Sequence, residues 1–174
     1  MQVIFIYGPA ASGKYTIGSQ LSRLTGLPLF HNHLAVDAAL SLFEFGTQGF
    51  KNVRAAVWRA AFQEAARSNR SFIFTFHPEA SVEPLLISEL VESIQSVGGN
   101  VVFVELQCAP EVVLQRLGSP GRIHFRKLTD PHLYRVLEEQ GAFAFPPLPK
   151  PLLRIDTSEL PPQEAAEKIA KAIG

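Results

Sequence analysis

Residues Gly8-Pro9-Ala10-Ala11-Ser12-Gly13-Lys14-Tyr15-Thr16 carry the strongest chemical signal in the chain. Two glycines five apart let the backbone turn tightly, so that successive N–H groups converge on an anion. A lysine directly after the second glycine places an ammonium against the same anion. The stretch follows the apolar run Val3–Tyr7 and opens an amphipathic stretch in which Ile17, Leu21 and Leu24 share one face. Strand before and helix after is the setting in which such a loop cradles phosphates, with the helix adding its own unpaired N–H groups and positive dipole end. A chance glycine-rich turn with a lysine is the alternative, and the flanking pattern disfavours it. The strict pattern has Ser or Thr after the lysine, as a hydroxyl ligand for Mg²⁺; here Tyr15 stands there and Thr16 follows, so Thr16 is the candidate metal contact.

A second group gathers at the ends of two other apolar runs. Phe30-His31-Asn32-His33 closes one of them and Phe76-His77-Pro78-Glu79 the other. Ligands of open α/β sheets bind beyond the carboxyl ends of strands, which favours His31, His33 and His77 as ligand-facing over ordinary loop histidines. Asn32 is equally suited to capping a helix. His31 and His33 form a poor metal site, with no Cys or third ligand nearby. Glu79 is placed either near the site or in the first turn of the next helix, where acids suit the dipole. The third group is basic: Arg116, Arg122, His124, Arg126 and Lys127 fall around Gly118, Pro120 and Gly121.

These groups need a scaffold, and the apolar pattern supplies one. Strands are expected at Val3–Tyr7, Leu27–Phe30, Ser71–Phe76, Asn100–Leu106 and Leu152–Ile155. Helices are expected at Ser12–Leu24, Leu34–Phe43, Val53–Arg67, Val82–Val97, Glu111–Leu117, Pro131–Gln140 and Pro161–Ile173. Short buried strands alternating with helices imply a doubly wound α/β fold in three layers, its five-stranded sheet parallel and covered on both faces. The 174 residues, 47% of them hydrophobic, suffice for one domain spanning 1–174. Sixteen basic residues balance sixteen acidic ones, which disfavours nucleic acid as a partner. No run approaches the roughly 18 apolar residues of a membrane span. The single Cys108 permits no internal disulfide. With no N-terminal signal pattern, these features suggest a soluble cytoplasmic protein.

On the Gly8–Thr16 loop and its strand–helix setting, the chain resembles the P-loop small-molecule kinases: shikimate kinase, gluconate kinase, chloramphenicol phosphotransferase and the adenylate kinase group. The last of these has a similar shift of the hydroxyl residue, with Gly-Lys-Gly-Thr at the loop's end. The resemblance implies a sheet of order 2-3-1-4-5, ATP and Mg²⁺ as cofactors, and transfer of the γ-phosphate to a small hydroxylated or phosphorylated acceptor. Lys14 would hold the β- and γ-phosphates. The acceptor would lie at the end of the second strand, with His31 and His33 where shikimate kinase has an Asp-x-Asp pair. Asp37, one helical turn past His33, is the nearest carboxylate and the candidate base. Arg54 and Arg59 lie where the fold often supplies an arginine to the acceptor's negative group, with a solvated helix face as the alternative; Arg54 is the choice. Residues 118–129 resemble a lid, in which Arg122 and Arg126 would hold the transferring phosphoryl group. Arg116 would lie beside the adenine. Asp156 and Thr157 would line the base pocket, unless Thr157 or Ser158 serves a turn or caps the last helix. The alternative reading is a nucleotide-binding protein or slow ATPase acting through a partner, favoured by the missing Walker B Asp after Phe76. Oligomeric state and acceptor identity are not legible in the sequence.

Overall fold

The computed structural model describes residues 1–118, 130–143 and 146–174. Five strands form one parallel sheet: β1 (Gln2–Tyr7), β2 (Leu29–His31), β3 (Phe72–Phe76), β4 (Asn100–Gln107) and β5 (Leu153–Asp156). Their spatial order is β2-β3-β1-β4-β5, the order implied by the family resemblance. Seven helices lie among the described residues: α1 (Lys14–Thr25), α2 (His33–Leu40), α3 (Gln48–Arg67), α4 (Leu86–Gln95), α5 (Pro110–Leu117), α6 (Pro131–Glu139) and α7 (Pro162–Ile173). None of them is long and apolar enough to cross a membrane.

The strands are apolar at nearly every position, yet their residue types alternate with the pleat. Val3, Phe5 and Tyr7 of β1, Phe72, Phe74 and Phe76 of β3, and Phe103 of β4 share one face with Trp58 and Phe62 of α3 and Leu86, Leu90 and Ile94 of α4. Ile4 and Ile6, Ile73, Val102, Val104 and Leu106 point the other way, against Ile17 and Leu21 of α1 and Ala165, Ala166 and Ile169 of α7. One layer is therefore built on rings and the other on compact aliphatics. Phe74 shows the ring packing, meeting Phe5, Trp58 and Phe62 edge-on at 5.0, 5.7 and 5.2 Å between centroids.

Local chemistry sets the helix boundaries. Gly26, at φ 74°, ends α1 in the left-handed region. Thr47 caps α3, its side chain accepting from Phe50 N, so α3 begins five residues earlier than the apolar spacing from Val53 implies. Asp130 accepts from His132 N and Leu133 N to start α6, with Pro131 in the first turn. α4 begins at Leu86 rather than Val82. The segment from His77 to Leu85 is consequently a connection, and Glu79 lies in it instead of in a helical first turn.

Candidate functional site

The glycine-rich loop fills the gap between the end of β1 and the start of α1. Gly8 runs so close to β4 that a Cβ there would lie 2.3 Å from the Leu106 carbonyl oxygen. Ala11 (φ 58°) and Gly13 (φ 87°) both take the left-handed region, a backbone sense found where consecutive N–H groups turn inward. Lys14 Nζ donates to the carbonyls of Gly8 at 2.9 Å and Pro9 at 2.5 Å, and lies 3.5 Å from Ser12 Oγ. Its ammonium thus lies folded over the loop's own carbonyls. Ser12 is buried, whereas Tyr15 and Thr16 are exposed on the first turn of α1. Because the atom that a Gly8 Cβ would meet is backbone, Gly8→Ala must push the loop off β4. We expect a stability loss of more than ~2 kcal/mol and at least tenfold weaker nucleotide binding, checked by thermal unfolding and by titration with a fluorescent ATP analogue.

One wall of the loop is made by the end of β5. Thr157, 2% exposed, has Oγ1 3.0 Å from both Ser12 O and Gln107 O, and its N–H donates to Gln107 O at 2.8 Å. Arg116 of α5 reaches the same turn: Nη2 donates to Thr157 O at 2.9 Å and Ser158 O at 3.0 Å, and Nη1 to Cys108 Sγ at 3.6 Å. Thr157 therefore links Arg116 to the loop. Asp156 has a different place. It is exposed, and its Oδ1 accepts from Ser158 N at 2.8 Å and from Ser158 Oγ at 2.6 Å, while Ser158 Oγ accepts from Ala109 N at 2.9 Å. Ser158 thus shapes a turn, as one of its two sequence readings had it; the closing helix starts from Pro161 without a side-chain cap.

The Ser158 hydroxyl and backbone N–H hold the Asp156 carboxyl below its ordinary 3.8. A carboxyl depressed in the folded state stabilises it above the unfolded value, and that contribution is lost as the pH falls through the folded value. Ser158→Ala removes the hydroxyl and keeps the N–H, so it should raise the Asp156 carboxyl part of the way towards its ordinary value in an NMR titration and soften the acid limb of the unfolding profile.

The opposite wall is the end of β3. His77 Nδ1 lies 3.2 Å from Gly8 O, so the chain beyond β3 touches the loop where a Walker B carboxylate was missing. The His77 ring packs on Phe143 at 4.9 Å, and Phe143 stacks on Tyr134 of α6 at 5.2 Å and 22°. Ala80 N donates to Ala142 O at 2.7 Å. These contacts bind the segment after residues 119–129 to the loop. No local pattern announces the ring row; its members lie 66 positions apart or fewer, and only the fold stacks them. Arg122 and Arg126, with most of the lid-like stretch, lie outside the described residues.

His31 ends β2 and His33 starts α2. The Tyr15 ring meets His31 edge-on at 5.0 Å, which joins the phosphate loop to the end of β2. Asn32 occupies the cap position of α2 but makes no capping bond. Its Oδ1 is buried with no hydrogen-bond partner among the described residues, and its N–H donates to Thr75 Oγ1 at 3.4 Å. Asp37 is exposed on α2. Arg54 is 1% exposed. It pairs with Glu79, donates to Ser81 Oγ and Ser81 O at 3.1 and 2.9 Å, and lies between the Phe50 and Trp58 rings, 5.0 and 5.1 Å from their centres. Burial pushes this guanidinium down, and Glu79 pulls it back up. Arg59 is half-exposed and meets Glu83 and Glu89. Among the described residues no three His, Cys, Asp or Glu side chains gather as a metal site.

No family model matches the sequence, and no curated protein does. Solved structures do. A sugar kinase from Janibacter sp. HTCC2649 is 18% identical with a TM-score of 0.67, over 99% of this chain and 94% of that one. The APS kinase of Mycobacterium tuberculosis, solved with AMPPNP and APS, is 12% identical with a TM-score of 0.64, over 99% and 96%. The shikimate kinase of Aquifex aeolicus is 20% identical with a TM-score of 0.57, over 99% and 96%. Likeness at these identities speaks for the architecture alone, and it is one that this chain shares with all three of these kinases.

Proposed function

We propose that the chain is an ATP-dependent phosphotransferase that moves the γ-phosphate to a small hydroxylated or phosphorylated metabolite. The observation that carries this reading is the loop itself. Lys14 is folded onto the Gly8 and Pro9 carbonyls within a backbone turned to receive anions, and Thr157 and Arg116 wall it on one side. In this reading the N–H groups that the loop and the first turn of α1 leave free hold the β- and γ-phosphates. Lys14 leaves its carbonyls for the phosphate oxygens and balances the charge that shifts during transfer. Arg116, Asp156 and Thr157 bound the base pocket, and Arg122 and Arg126 of the lid-like stretch close over the phosphates and exclude water.

Mg²⁺ fits this donor set in one way. It keeps several waters and takes one or two protein ligands beside the phosphates, and the exposed Thr16 hydroxyl on the first turn of α1 can be such a ligand. Bound there, Mg²⁺ would supply charge neutralisation at the phosphate oxygens. On the acceptor side, His31, His33 and His77 position the substrate hydroxyl, and Asp37 is the candidate base. ATP and small metabolites are cytoplasmic, and the reading places the protein there, with neither nucleic acid nor membrane as a partner.

The test is ADP release from Mg-ATP, without acceptor and against a panel of hydroxylated metabolites and nucleoside monophosphates. Release that depends on one acceptor class supports the reading. Slow release that no acceptor accelerates sinks it in favour of a nucleotide-binding protein.

A further inference from the structure

Two donors meet on the Gly8 carbonyl. Lys14 Nζ reaches it at 2.9 Å from the start of α1, and His77 Nδ1 at 3.2 Å from just past the end of β3. A carbonyl oxygen only accepts, so Nδ1 carries a proton in this contact. The ammonium and the ring nitrogen are then no more than about 6 Å apart, the sum of the two distances. Lys14 is the one charged side chain of residues 8–16. The carboxylates on the other elements packed towards the ring are engaged: Glu79, two residues along the chain, pairs with Arg54, and Glu138 of α6 accepts from Tyr134 Oη at 3.2 Å. His132, Arg135 and Glu139 of α6 are exposed, and Phe143 brings only a ring. A second proton on His77 would therefore set two cations on one oxygen of a partly buried loop, which Coulomb repulsion disfavours.

We infer that His77 is a positioning residue of the phosphate loop, and that it takes up a proton when a nucleoside triphosphate draws Lys14 off the Gly8 carbonyl. The inference rests on the reading of this loop as a triphosphate site. In that reading the ammonium exchanges the carbonyl for phosphate oxygens, and the ring keeps its hold on Gly8. Repulsion gives way to attraction, since an imidazolium beside the loop then faces several phosphate charges. The proton comes from solvent and goes to Nε2. The neutral ring protonated at Nδ1 and the imidazolium both donate from Nδ1, so the bond to Gly8 survives the change of charge. A group that binds a proton together with the ligand makes the ligand bind tighter as the pH falls through that group's range. Nucleotide affinity should therefore rise on the acid side of neutrality, through His77.

The probe is the non-hydrolysable analogue AMPPNP with Mg²⁺, titrated calorimetrically into the full chain at a pH of about 6.5. Titration in two buffers of different ionisation enthalpy counts the protons bound with the nucleotide. His77→Asn is the comparison, because its amide nitrogen takes the place of Nδ1 as a donor to Gly8 and does not titrate. The wild type should take up at least about 0.3 proton more per nucleotide than His77→Asn. Its affinity relative to that of the variant should rise at least about fivefold between pH 8.5 and pH 5.5. Protonation of the nucleotide itself cancels in that ratio. Equal proton counts in two proteins that both bind AMPPNP overturn the inference and leave the kinase reading standing. If His77→Asn does not fold, the His77 ring is followed by NMR in the wild type. Its titration midpoint should lie about 1 pH unit higher with AMPPNP bound, and an unmoved midpoint overturns the inference. A wild type that binds no AMPPNP sinks the kinase reading, and the inference with it, so the two failures are distinguishable.

Discussion

Lys14→Ala is expected to abolish acceptor-dependent ADP release, by at least ~10²-fold in kcat, while leaving the fold intact. The size follows from what the side chain would do in the proposed reaction. A preorganised cation aimed at developing charge in a site closed to water is worth that much or more. Stability should hardly change, because the residue is only partly buried and its partners are the loop carbonyls of Gly8 and Pro9 and the Ser12 hydroxyl. The Gly8 carbonyl keeps the His77 ring nitrogen at 3.2 Å, and the partly buried Pro9 carbonyl can turn to water once the ammonium is gone. A circular-dichroism melt and a coupled ADP assay on the same preparation separate the two effects. Undiminished turnover in a folded variant would remove Lys14 from the mechanism, and with it the main support for a phosphotransferase.

Arg54→Ala should have the reverse profile, with the fold failing before the chemistry is touched. Removing one partner of a buried ion pair costs about 3–5 kcal/mol, since the other charge is left behind without compensation. Glu79, 16% exposed, is the charge left behind. Ser81 loses two contacts as well, and the space between the Phe50 and Trp58 rings is emptied. The connection from His77 to Leu85 is tied to α3 through these bonds, and its His77 end rests against Gly8, so its release should also loosen the phosphate loop. Urea unfolding should show a loss on the order of 3–5 kcal/mol for Arg54→Ala and a much smaller one for Arg54→Met/Glu79→Met. A loss in Arg54→Ala no larger than in the paired variant would mean that the pair contributes packing alone.

Much of this was legible in the chain. The phosphate loop is local: Gly8, Gly13 and Lys14 do their work through backbone turns and a helix start that neighbouring residues determine, so their spacing is enough to find them. The strands were readable for a related reason, since a run such as Phe72–Phe76 is too apolar to lie anywhere but inside a sheet covered on both faces. Boundaries were less secure. α3 starts at Gln48 because the Thr47 hydroxyl reaches Phe50 N, a contact the hydrophobic period does not register. Glu79 looked equally suited to a helical first turn, and only the late start of α4 leaves it in a connection.

The roles of the polar residues around the strand ends are tertiary facts. Arg54 and Glu79 stand 25 positions apart, and nothing in either neighbourhood marks them as partners. They meet because β3 lies in the sheet beside β1 and α3 packs across its aromatic face, which brings the end of that strand to the helix. Asn32 carries the residue type of a helix cap and takes the cap position, yet its side chain makes no capping bond, since the backbone there is already helical at φ −49°. His77, Phe143 and Tyr134 become a row of rings only when α6 folds back over the loop. Chemistry written in consecutive residues was determined by the sequence itself; chemistry assembled across strands was decided by packing.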